Sequence, residues 1–68
     1  MTDLKQRVGR LLKDARKQKG LTQKELGEKL GVTATTIKRY EMGGQNLTLE
    51  TLEKVALSLD VDITVLLK

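Results

Sequence analysis

The sequence predicts an all-α fold, a compact bundle of four to five short helices. Three observations predict it. Apolar residues recur at three- and four-residue spacing in successive segments, no proline interrupts them, and the later segments open on threonine or aspartate. The 68 residues leave room for one domain and one core, so residues 1–68 are read as a single unit. A core of this size rarely supplies more than about 3–5 kcal/mol. Cysteine and histidine are both absent, which excludes disulfides and zinc sites built on those ligands. Helix packing or self-association must supply the stability.

Leu4, Val8, Leu11, Leu12 and Ala15 form the first apolar face, and the helix that carries them is expected to run to about Gln18, with Gly20 as its left-handed stop. In Leu21-Thr22-Gln23-Lys24-Glu25-Leu26, Thr22 can cap the amide of Glu25 while the Glu25 carboxylate reaches back, and Leu21 and Leu26 hold the two staple positions. A second helix therefore starts at residue 23 and stops at Gly31. Thr33 caps a third, with Val32 stapled to Ile37, and Gly43-Gly44 ends it near Met42. Thr48 opens a fourth helix that is expected to bury Leu49, Leu52, Val55, Ala56 and Leu59, with Leu47 stapled to Leu52. In the tail, Asp62 suits an N-cap, whereas Ile63-Thr64-Val65 favours a strand. A short helix is expected there, with a strand as the alternative.

Lys and Arg outnumber Asp and Glu by 13 to 9, a modest excess that suits a polyanionic partner. The excess is concentrated: residues 1–20 hold seven bases against two acids. Neither a signal peptide nor a run of ~18 apolar residues is present. A cytoplasmic protein without membrane contact is expected.

Two short helices joined by a tight turn, over about residues 22–42 and preceded by a basic helix, can place the second in a DNA major groove. At about 100° per residue, Ile37 and Tyr40 of that helix point to the core while Thr35, Lys38, Arg39 and Met42 point away. Arg pairs with guanine O6 and N7, Lys reaches the same acceptors, and threonine offers a hydroxyl and a methyl.

Gln23-Lys24-Glu25-Leu26-Gly27, Val32-Thr33, Ile37 and Tyr40-Glu41-Met42-Gly43 resemble the Cro/C1-type helix-turn-helix family of phage repressors, over roughly residues 7–67. The resemblance implies a lambda-repressor-like fold, operator DNA as partner and a dimer as the active species. By position it makes Thr33, Ala34, Thr35, Lys38 and Arg39 the base-contacting residues of the helix spanning 33–42, with Arg39 the leading candidate. It makes Gln23 a phosphate clasp, which agrees with the unpaired amides and partial positive charge of a helix N-terminus. Arg16, Thr22 and Asn46 join it as phosphate contacts, and Arg16 and Glu41 become a salt bridge that orients the third helix. Gly27 stands where helices two and three approach closely. Ala34 departs from the long polar residue of many relatives, which exchanges a hydrogen-bonded readout for contact with a thymine methyl or none.

Sequence-specific binding of double-stranded DNA by a repressor-like transcriptional regulator is the expected function. The alternative is a protein–protein interaction module such as an antitoxin or coactivator-like adaptor. No catalytic constellation, cofactor site, metal site or small-molecule site is expected. Two-fold pairing through Leu57 and Val65, both expected outside the monomer core, would present two reading helices to a pseudo-palindromic operator.

Overall fold

The computed structural model describes residues 4–43 and 47–68. Among them are helices α1 (Leu4–Gln18), α2 (Gln23–Leu30), α3 (Ala34–Met42) and α4 (Leu49–Leu59), followed by a 3-10 turn over Ile63–Leu66. The expected loop role of Asn46 and the stop at Gly44 fall outside the described residues.

Local chemistry sets each boundary. Thr22, Thr33 and Thr48 all adopt extended backbone, and each hydroxyl accepts from an amide three residues on. At Thr22 the capping box is complete: the Glu25 amide donates to Thr22 Oγ1 at 3.0 Å, and the Thr22 amide donates to Glu25 Oε1 at 2.9 Å. Left-handed residues close the helices, glycine at Gly31 and Gly43 and, less usually, Asp60 at the end of α4. In the tail, Asp62 caps a single 3-10 turn by accepting from the Thr64 amide. That turn brings Leu66 to full burial, so the strand alternative is excluded.

The core gathers Val8, Leu12 and Ala15 of α1, Leu26 of α2, Ile37 of α3, four residues of α4 and Leu66. Three expectations are corrected at its edge. Leu4 and Leu49 belong to the apolar series of their helices but are 70% and 69% exposed, because the first turns of α1 and α4 leave an open pocket between them, over Val8 and Leu52, that no described residue fills. Val65, expected outside the core, is half-buried and packs against it, because the 3-10 turn folds back onto α4 and α1. Arg7 helps to hold the tail by donating to the Lys68 backbone carbonyl.

The Thr22 cap gives a direct test of the α2 boundary. Thr22→Ala is expected to lower stability to urea by about 0.5–2 kcal/mol, and a wild-type midpoint would mean that the cap contributes nothing. Hydrogen bonds from the Thr22 amide and hydroxyl, with Lys29 adding a smaller attraction, hold the Glu25 carboxyl below the ordinary carboxylate range. The folded state thus binds fewer protons at this group than the unfolded chain, and its contribution is complete above the unfolded pKa. It is lost as the pH falls through the lowered value. The destabilisation caused by Glu25→Gln, measured by urea melts, should therefore be present at pH 7 and vanish in acid.

Candidate nucleic-acid interface

Helix α3 is fixed from two sides. On one flank α2 packs against the turn that leads into α3, so closely that a Cβ on Gly27 would stand 2.6 Å from the Val32 carbonyl oxygen and 3.2 Å from that of Thr33, the α3 N-cap. On the other flank α1 lies against the C-terminal half of α3. A Cβ on Gly9 would stand 2.6 Å from the Glu41 carbonyl oxygen and 2.7 Å from that of Tyr40. Gly9 is a positioning residue that pattern reading passed over, although a signal was present. A glycine inside a helix costs about 1 kcal/mol relative to alanine, so one flanked by core positions usually marks a close approach.

A buried ionic cluster joins the three helices. Arg16 Nε donates to Glu41 Oε2 at 2.6 Å and Nη2 donates to Oε1 at 3.1 Å, a two-pronged pair with side chains only 9% and 3% exposed. The third prong, Nη1, donates to the Leu21 carbonyl at 2.7 Å and so ties down the link between α1 and α2. Gln23 Nε2 also donates to Glu41 Oε1, at 3.1 Å. Among the described residues no buried side-chain nitrogen or oxygen lacks a partner, which meets the condition for burying charge at tolerable cost.

These contacts show what two of the expected phosphate-contact residues do inside the protein. Arg16 is buried, and each of its three nitrogens donates within the protein, to Glu41 or to the Leu21 carbonyl, a position that suits orientation of α3. The Gln23 side chain is half-buried and donates to Glu41, and the backbone amides at the start of α2 are the more open donors toward an anion. Thr22 stays exposed at the same helix end.

The outer face of α3 is open. Thr33, Thr35, Lys38, Arg39 and Met42 are exposed, while Ala34 is half-buried at the helix start. Thr33 spends its hydroxyl locally, since it accepts from the Thr36 amide and meets the Thr36 hydroxyl at 3.0 Å. Thr35, Lys38 and Arg39 thus form one projecting surface of a hydroxyl, an ammonium and a guanidinium. Among the described residues neither cation is held in an ion pair. Gly43, at φ 76°, ends the helix one residue beyond Met42.

Residues 12–66 match the sequence profile of the Helix-turn-helix family. The chain belongs to the helix-turn-helix family, Cro/C1 type. It is similar to an uncharacterized HTH-type transcriptional regulator, YqaE of Bacillus subtilis, with 42% identity over 84% of this chain and 49% of the relative. It is also similar to antitoxin HipB of Escherichia coli, with 40% identity over 78% of this chain and 60% of the relative. Among solved structures, the clp gene regulator ClgR of C. glutamicum superposes with a TM-score of 0.94 at 27% identity, over 98% of this chain and 87% of that one. The chain spans about half the length of YqaE and three fifths of HipB.

Proposed function

We propose that this helix-turn-helix domain reads a specific operator in double-stranded DNA and acts as a repressor-like regulator in the cytoplasm, without catalysis, cofactor or small-molecule ligand. The observation that carries the proposal is the open outer face of α3, held in fixed orientation by the buried Arg16–Glu41 pair. In the major groove this face offers Arg39 and Lys38 to guanine, and Thr35 to polar base edges or a thymine methyl. The Ala34 methyl lies at the helix start, where it suits a thymine. Amides at the start of α2, beside Thr22 and Gln23, donate to a backbone phosphate and set the register.

Titration of generic duplex DNA against salt tests this reading. Neutralising phosphates releases counterions, so affinity should fall steeply as salt rises. Absent or salt-insensitive binding would contradict it and leave the adaptor alternative.

The active species is proposed to be a homodimer. Leu57 is 75% exposed on α4, away from the buried line of Leu52, Val55, Ala56 and Leu59. Isolated exposed apolar residues are common, but one reading helix spans only a few base pairs, whereas two set about 34–36 Å apart read both halves of a palindromic site. Sedimentation on the selected site should show two chains per duplex, and Leu57→Asp should reduce this while leaving the monomer folded. One chain per duplex on a non-palindromic site would contradict the dimer.

A further inference from the structure

Arg16 and Arg7 of α1 are engaged inside the fold, but Arg10, Lys13 and Lys17 are explained neither by packing nor by the outer face of α3. Their position in the fold gives them a direction. Three contacts define which line of α1 touches α3: Gly9 against the Glu41 backbone, Arg16 bonded to the Glu41 carboxylate, and Gln6, whose Cα lies 2.9 Å from where a Cβ on Gly43 would be. At about 100° per residue, the core residues Leu12 and Val8 lie roughly 60–100° to one side of Gly9. On the other side, at roughly 40°, 80° and 100°, come Lys13, Lys17 and Arg10. All three are exposed, and among the described residues none is held in an ion pair. Asp14, the acid among the described residues of this helix, lies farther round the same side, about 140° from Gly9 and about 40° beyond Arg10, so it borders the row at Arg10 and stands clear of Lys13.

On α3 the same construction places Lys38 about 100° from the buried Ile37, just past Glu41, with Thr35 and Arg39 about 160° from it. The crevice between the two helices therefore has the core beneath it and one continuous basic surface above it. The outer side of α3 and the basic side of α1 face the same way. A B-form major groove is about 12 Å wide, and a helix with its side chains is about 10–12 Å across. When α3 occupies the groove, α1 beside it has to ride over the wall, where the phosphates lie. The start of α2 opens at the same junction, since Gln23 and Arg16 both bond Glu41.

We propose that Lys13 and Lys17, with Arg10 beside them, form a second phosphate-contact row for the backbone of the duplex whose groove α3 occupies. The inference rests on the DNA-binding reading above. Ammonium groups on flexible stems suit it, because they act as point charges toward phosphate and read no sequence.

The test compares three proteins by fluorescence anisotropy on a generic duplex and on the selected site across a salt series: wild type, Lys13→Gln/Lys17→Gln, and Lys29→Gln/Lys54→Gln. The last carries the same change in net charge at exposed positions on α2 and α4. Loss of two phosphate contacts should flatten the slope of log K against log salt by about 1.8, since each contributes about 0.9. The affinity gained between 200 and 50 mM salt then becomes roughly tenfold smaller on both duplexes. The α2/α4 double variant should keep the wild-type slope, and Lys13→Arg/Lys17→Arg should restore it. An unchanged slope in Lys13→Gln/Lys17→Gln, or equal flattening in both Gln double variants, overturns the second row alone. Failure of the wild type to bind any duplex overturns the DNA-binding reading itself.

Discussion

Glu41→Ala is expected to abolish folding at 25 °C. Arg16 would keep its charge in a site where the pair's side chains are 9% and 3% exposed, with its two-pronged acceptor gone and only the Leu21 carbonyl left. Removing one member of a buried pair costs about 3–5 kcal/mol, which is about the whole margin available to a domain of this size. Gln23 loses its acceptor in the same substitution. The loss should be specific to leaving a charge stranded. The double variant Arg16→Met/Glu41→Leu fills the same space without charge and should remain folded, as judged by urea melts followed through helical circular dichroism. A folded Glu41→Ala with a near-wild-type midpoint would show that the pair is not the brace between α1 and α3. If the double variant folds but loses discrimination between operators, the pair serves the orientation of α3 more than the stability of the fold.

Gly9→Val is the second large effect, at about 3 kcal/mol, the upper end of overpacking costs. The atoms it meets are the backbone oxygens of Glu41 and Tyr40, which cannot swing aside as a side-chain tip can. Gly9→Ala poses the sharper question of sign. Alanine is the better helix former by about 0.5–1 kcal/mol, so a position without a close neighbour would gain stability. With a Cβ 2.6 Å from a carbonyl oxygen, the variant is expected to lose stability instead. A raised urea midpoint for Gly9→Ala would mean that α1 and α3 are not in contact at that point.

The sequence was most informative where the chemistry is local. Thr22, Thr33 and Thr48 announce helix starts, because a hydroxyl three residues before an amide makes its bond within one turn, whatever the rest of the chain does. Legibility fell where three-dimensional placement decides. Leu4 and Leu49 obey helical periodicity yet stay exposed, since periodicity names a face but not where the neighbouring helix stops covering it. Val65 was misplaced because its burial depends on the tail turning back as a 3-10 turn, which a one-residue change in register would alter. The pairing of Arg16 with Glu41 came from resemblance to the family. The engagement of Gln23 with Glu41 follows from the meeting of three helices, which no local pattern encodes. Gly9 could have been singled out by its cost inside a helix, but its partner across the interface could not.

The central claim is that the outer face of α3 distinguishes base pairs, and Arg39 tests it most directly. The measurement is the affinity of wild type and Arg39→Ala for the operator selected from random duplexes and for each of its single-base-pair variants, at one fixed salt concentration. The expected result is a loss of about 1–3 kcal/mol on the selected site. Discrimination should collapse at one base pair per half-site and persist at the others. A uniform loss across all duplexes, or unchanged discrimination at every position, would contradict the assignment of α3 as the helix that reads sequence.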